Sequence, residues 1–285
     1  MKTAILLLSS IFLLSLNKES TSEVDIFEAI EKDLINFSAK SNGGYSAESI
    51  VVDVENLGNL KSIVVPAGTR FLSEYDHEQD LITTEDEIIV LNRHSPTNEI
   101  LSGYCVQKFN SAPSDGARFL IEREKNENIR KLVDYIESKN IDEQIKQTAI
   151  WSVSDRTNVS GIYKEGDEQI DKLRAYICSL TGQENVWYNT NPSYSVDEDR
   201  NIVQETTEVQ GLINYEVKKT GKIKMLICKE NGEVIRTLGG SMSVDHLGDF
   251  QFNFKVKVKG WDAGEYSVKI QIDDTPIHNE KFEIG

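Results

Sequence analysis

Cysteine is scarce: three residues, Cys105, Cys178 and Cys228, in a chain of 285. So small and odd a number excludes a disulfide framework, because at most one bridge forms and at least one thiol is left over. Histidine is also rare, and His77, His94, His246 and His278 are scattered without the spacing of metal ligands. There is no phosphate-cradling glycine loop and no paired-carboxylate motif. No metal and no cofactor is implied. Cations are outnumbered, with Lys+Arg 31 against Asp+Glu 47 and a formal net charge of -16. Nucleic acid and anionic lipid are therefore poor partners, since both require clustered positive charge. Beyond residue 16 no apolar run is long enough to span a bilayer, which excludes membrane insertion of the mature chain.

The one such run lies at the N-terminus. Lys2 precedes an apolar stretch from Ala4 to Leu16, and Asn17 to Ser22 is a polar exit. A charged start, a short apolar run and a polar end describe a secretory signal peptide over residues 1–22. The expected location is outside the cytoplasm, secreted or on the cell surface.

Two regions with different periodicity follow. From 23 to 186 the sequence reads as an α+β domain, a mixed β-sheet with a cluster of three to four helices. Ile26, Ile30, Leu34 and Phe37 have helical spacing, so a helix is expected over 26–40. Apolar β-branched runs at 49–54, 60–65, 87–91 and 100–106 read as strands. Ile129, Leu132, Val133 and Ile136 mark one further helix, Ile145 to Val153 a second, and Ile170, Leu173, Ile177 and Leu180 a third, ended by Gly182. Residues 187–204, rich in Asn, Ser and acids, read as a linker. From 205 to 285 helical periodicity vanishes. Phe250, Phe252, Phe254, Val256 and Val258 alternate with polar residues, and Asn231-Gly232 is a hairpin signal. An all-β sandwich of immunoglobulin-like size is expected there.

The chemistry is concentrated in two stretches, Leu101-Ser102-Gly103-Tyr104-Cys105-Val106 and Ile145-Lys146-Gln147-Thr148-Ala149-Ile150-Trp151. A cysteine thiol can attack a glutamine carboxamide, expel ammonia and leave an internal thioester. That reaction needs a nucleophile and a site dry enough to spare the product. Cys105 supplies the thiol and Gln147 the acyl group. Ile150 and Trp151, three and four residues on, share a helical face with Gln147, and Tyr104 flanks the thiol. These three are the expected shield.

Tyr104-Cys105 followed by Gln147-Thr148-Ala149-Ile150-Trp151 resembles the paired motifs of bacterial surface thioester domains. The resemblance implies an adhesin whose Cys–Gln bond acylates a protein or glycan target on a surface, without being an enzyme in the turnover sense. Lys146 stands where that family tends to carry an apolar residue or threonine. The pattern around Asn231-Gly232-Glu233-Val234-Ile235 and Gly264-Glu265-Tyr266 is similar to immunoglobulin-like and type IX sorting-type sandwiches of secreted bacterial proteins.

Other readings stay open at this level. Cys105 is also readable as a plain core residue, since cysteine is among the most buried types, or as the partner of Cys178 in a disulfide. Paired with His94 it would be a thiol hydrolase. Trp187, Tyr188 and Tyr194 suggest a sugar-stacking platform in a non-catalytic extracellular protein. Asp197-Glu198-Asp199 lacks the spacing of a calcium loop. The oligomeric state is not legible.

Overall fold

The computed structural model describes residues 23–285, the side chains of residues 239–241 apart. The signal-peptide reading of residues 1–22 lies outside the described residues. The chain runs β1 (Val24–Asp25), α1 (Ile26–Glu31), β2 (Ile35–Ser41), β3 (Glu48–Asn56), β4 (Ser62–Val65), β5 (Thr69–Ser73), β6 (Leu81–Ile82), β7 (Glu87–Val90), β8 (Thr97–Ser102), β9 (Tyr104–Cys105) and β10 (Arg118–Arg123). Helices α2 (Glu127–Ile136), α3 (Glu143–Ser154) and α4 (Glu168–Thr181) follow. The remainder is strand: β11 (Tyr188–Val196), β12 (Ile202–Val217), β13 (Gly221–Lys229), β14 (Val234–Val244), β15 (Gly248–Lys257), β16 (Gly264–Ile272) and β17 (Thr275–Ile284).

The expectation of an α+β domain built on a helical cluster does not hold. Seventeen strands stand against four α-helices among the described residues, and even the N-terminal part is framed by two sheets. One sheet has the order β1-β4-β7 and the other β8-β3-β2-β10-β5-β6-β9. The misreading has a local cause at the start of the chain. The helix expected over 26–40 stops at Glu31, because Asp33 takes a left-handed conformation at φ 49°. The chain then extends, and Ile35, Ala39 and Ser41 are buried at period two against β3. Phe37 fits both periodicities by coincidence of spacing.

Two cores fill the N-terminal part. One joins the sheets, with Ile63, Val65 and Ile89 from the first and Ile50, Val52, Val54, Phe71 and Leu81 from the second, and includes both Cys105 and Trp151. The other lies beneath α2, α3 and α4, and the sheet side closes it with Ile82, Tyr104 and Val106. Side chains cap the starts of α2 and α4: Asn126 accepts from the N–H groups of Asn128 and Ile129, and Asp167 from that of Gln169, whereas Asp142 makes no such bond at the start of α3. Gly182, at φ 71°, ends α4 in the left-handed conformation that glycine adopts freely.

Residues 187–204 are not a linker. They form β11, its turn and the first residues of β12, which pair from Tyr188↔Gly211 to Val196↔Ile202. The C-terminal part is β-rich, with sheets β11-β12-β15 and β14-β13-β16-β17. Both contribute to one core, Val209, Ile213, Phe254 and Val256 from the first and Ile227, Val268, Ile270 and Phe282 from the second. The hairpin turn connects β13 to β14, with Gly232 at φ 85°. No helix among the described residues is long and apolar enough to cross a membrane.

Candidate functional site

Cys105 ends β9, the last strand of the seven-stranded sheet, paired with β6 through Leu81↔Cys105. Gly103 brings the chain in. A Cβ at this residue would lie 2.5 Å from Ile50 Cδ1 and 2.9 Å from Ser49 Oγ, so only glycine allows so close a passage over β3. Ser49 Oγ donates to the Gly103 carbonyl at 3.0 Å and fixes the approach. Cys105 is wholly buried.

Gln147 reaches that strand end from α3. Cys105 N donates to Gln147 Oε1 at 3.0 Å, and Gln147 Nε2 donates to the Cys105 carbonyl at 2.8 Å. Because β9 is an edge strand, one side of its backbone has no neighbouring strand, and the carboxamide takes that place. A buried amide with both its oxygen and its nitrogen engaged avoids the penalty of unsatisfied polar burial. Gln147 itself is 0% exposed.

The helix that carries it is unusual in being buried from Ile145 to Val153 despite four polar side chains. Each of these is satisfied. Lys146, the residue that departs from the thioester-domain pattern, pairs with Glu85. Thr148 Oγ1 donates to the Gln144 carbonyl at 2.8 Å and lies 3.3 Å from the Tyr194 hydroxyl. Ser152 Oγ donates to the Thr148 carbonyl at 2.9 Å.

Of the expected shield, Trp151 shares the core of Cys105, whereas Tyr104 and Ile150 point into the core beneath the helices. The aromatic cover is instead built from Trp151, Tyr45 and Tyr194. Tyr45 stacks on Trp151 with ring centroids 6.1 Å apart, and Tyr194 meets Trp151 edge-on at 5.0 Å. The Tyr45 carbonyl also accepts from Cys105 N at 3.1 Å, and the Tyr45 hydroxyl donates to the Tyr194 carbonyl at 3.2 Å. Lys108 places Nζ 5.9 Å from the Trp151 ring centre and 5.8 Å from that of Tyr194. The Trp151 indole N–H is buried and without a hydrogen-bond partner among the described residues. Tyr45 carried no local signal in the sequence, and Tyr194 stood out there only as part of a sugar-stacking platform with Trp187 and Tyr188. Tyr45 and Tyr194 come from a loop before β3 and from β11, 149 residues apart.

Burial raises the pKa of the Cys105 thiol well above its ordinary value, and the negative charge of Asp80 adds to this. Tyr45 is raised by burial and then by the nearby Cys105, and Tyr194 rises to about 12 through burial. Tyr104, also raised, is held up chiefly by burial. The site disfavours a standing thiolate and suits uncharged sulfur, either thiol or acylated.

The remaining sequence candidates do not converge on it. Cys105, Cys178 and Cys228 are free thiols, so no Cys105–Cys178 bridge is present. His94 is exposed on the turn between β7 and β8 and makes no hydrogen bond to Cys105. Asp197 serves its own turn, accepting from the N–H groups of Asp199 and Asn201. No group of residues suited to hold a metal ion occurs among the described residues. Trp187 packs on Phe254 and donates its indole N–H to the Lys281 carbonyl at 2.7 Å, while Tyr188 is buried. With Tyr194 over Trp151, these three aromatics are packed at the junction of the two parts and form no common platform.

No family model matches the chain, and no curated protein matches it. Among solved structures it is similar to a β-glucosidase from Kluyveromyces marxianus in complex with glucose, at 8% identity and a TM-score of 0.21. The alignment covers 83% of this chain and 44% of that one. The selenomethionine-labelled form of the same β-glucosidase aligns at 8% identity and a TM-score of 0.20, over 82% of this chain and 45% of that one. The chain thus spans less than half the length of these structures, and likeness at this level carries no argument about fold or activity.

Proposed function

We propose that this chain is a secreted or cell-surface adhesion protein that closes an internal thioester between Cys105 and Gln147 and uses it to acylate a partner. The observation that carries the reading is the pair of hydrogen bonds between the Gln147 carboxamide and the Cys105 backbone, inside a region where both residues are 0% exposed. A carboxamide pinned to the main chain of the residue that carries the thiol has already lost much of the freedom that the reaction would otherwise have to remove.

The step balances simply. Cys105 Sγ adds to Gln147 Cδ, the Cδ–N bond breaks, and the thiol proton leaves with the amine as ammonia. The product is uncharged, which suits surroundings that hold the thiol protonated. Trp151, Tyr45 and Tyr194 keep water from the acyl carbon, and the unpartnered Trp151 N–H is a donor on the same helical face as Gln147. Export through residues 1–22 and the surface location belong to the same proposal.

Intact-mass measurement of the mature protein tests it. The expected mass is one ammonia below that of the sequence, and methylamine should add its own mass. Full mass, with Cys105 alkylated once the protein is denatured, would sink the reading. A non-covalent extracellular binding protein would then be the better description.

A further inference from the structure

A cavity of about 330 Å³ lies where the loop after β9, strands β11 and β12 and the end of β17 meet. That is within the size range of small-molecule sites. We propose that this cavity binds one uncharged sugar unit of a carbohydrate and holds it without reacting with it. The inference goes beyond the thioester reading and stands whether or not the Cys105–Gln147 bond forms.

Three observations carry it. The first is a set of unanswered polar groups on one wall. Thr206 is 5% exposed, lines the cavity, and its hydroxyl has no hydrogen-bond partner among the described residues. Ser160 and Thr190, both buried in the same wall, place their hydroxyls 3.1 Å apart. Whichever of the two donates, the other keeps an O–H with no acceptor among the described residues. Gln204 accepts from Lys108 Nζ through Oε1, and its Nε2 has no acceptor among the described residues. Buried polar groups are ordinarily satisfied, and a ligand rich in hydroxyls, each donor and acceptor at once, answers all three.

The second observation is an apolar surface beside them. Phe109 lines the cavity and yet is 80% exposed, which places its ring at the opening, and the half-buried Tyr194 forms part of the wall. Aromatic rings next to hydroxyl and amide groups match a sugar ring, whose C–H faces are apolar and whose rim is polar. The third is charge. Lys108 and Arg156 share the wall with Glu283 and with Gly285, whose main-chain carboxylate counts with Glu283 against them. With both signs present, an ion entering the cavity loses its hydration with no net opposite charge to compensate, whereas an uncharged ligand does not meet that cost.

The test is saturation-transfer NMR on the whole protein with methyl β-galactoside, methyl α-mannoside and methyl N-acetyl-β-glucosaminide, and with methyl β-galacturonide and methyl β-galactosaminide as charged counterparts. At least one neutral glycoside should bind, and neither charged one should bind more tightly. Thr206→Val keeps the shape of the side chain and removes a hydroxyl that has no partner. Its thermal midpoint should therefore not fall, while its affinity for the glycoside should drop about tenfold, the upper range for one net hydrogen bond. Phe109→Ala, at an exposed residue, should leave the melt unchanged and weaken binding severalfold. Binding by none of the neutral glycosides, tighter binding of a charged one, or parental affinity in both variants overturns the inference. None of these results bears on the mass of the Cys105–Gln147 pair, so the thioester reading stands or falls separately.

Discussion

Gln147 holds Cys105 by both ends of its backbone, with Oε1 3.0 Å from Cys105 N and Nε2 2.8 Å from Cys105 O. Replacing Gln147 by Ala removes that clasp. Cys105 N keeps the Tyr45 carbonyl as a partner, but Cys105 O loses its bond to the amide. Loss of one partner for a buried carbonyl predicts a destabilisation of about 1–3 kcal/mol. Urea unfolding would measure it, and the variant should carry its full sequence mass because no acyl donor remains.

The aromatic cover makes a separate prediction. Tyr194→Ala opens one side of Trp151 and removes the ring that meets Tyr45 edge-on, while leaving the Tyr45 hydroxyl its bond to the carbonyl of residue 194. Hydrolysis of the thioester should accelerate by roughly tenfold or more, equivalent to about 1.4 kcal/mol. The slow gain of one water in intact mass, followed over time, is the readout. An unchanged hydrolysis rate would remove Tyr194 from the shield.

Gly103 is predicted to resist substitution. In Gly103→Ala the new methyl would overlap Ile50 Cδ1 at 2.5 Å and Ser49 Oγ at 2.9 Å. The expected cost is about 1–3 kcal/mol from overpacking, with a matching fall in the thermal midpoint. Since the strain falls two residues before Cys105, bond formation should become incomplete in the same variant, visible as two masses.

A pH-dependent prediction concerns the clasp between the two parts. Arg200, in the turn after β11, pairs with the buried Glu78, which also accepts from Ser114 Oγ. Burial alone would raise Glu78, but the hydrogen bonds from Arg200 and Ser114 outweigh it and hold the carboxyl below its ordinary 4.5. A depressed folded-state pKa means the stabilisation is present above the unfolded value and is lost as pH falls through the folded one. Stability should therefore decline below about pH 4.5. Glu78→Gln should flatten that decline in thermal melts recorded from pH 6 down to pH 3 (roughly the span over which carboxylates titrate).

The free thiols permit a control. Burial keeps Cys105 protonated and raised, while Cys178 is only partly covered, its pKa raised by burial and countered by Arg174. In the native state at neutral pH, Cys178 should react with iodoacetamide before Cys228, which is 1% exposed, and Cys105 should not react. Peptide mapping after a timed exposure gives the order.

Period-two alternation from Phe250 to Val258 was legible because a sheet with one buried face imposes it, and β15 shows it residue by residue. The helix stripe at Ile129, Leu132, Val133 and Ile136 was legible for the corresponding reason. The start of the chain was not. Ile26, Ile30, Leu34 and Phe37 have the spacing of a helix, and the break at Asp33 is decided by what Ile35 and Ala39 bury against β3. The stretch 187–204 has a linker's composition and yet is β11 with its turn, since pairing with β12 outweighs local propensity.

By itself the sequence determined which chemistry was available: a single thiol after an aromatic residue, a glutamine one helical turn before a tryptophan, and no histidine or carboxylate group to compete with them. Those are properties of residue type and short spacing. Only the tertiary structure decided that Gln147 meets Cys105 across 42 residues, and that Tyr45 and Tyr194 cover the pair in place of Tyr104 and Ile150. The physical reason is that an edge strand leaves backbone groups to be satisfied and a buried face to be filled. The partners that do so are chosen by packing over long sequence separations, where no local pattern records them.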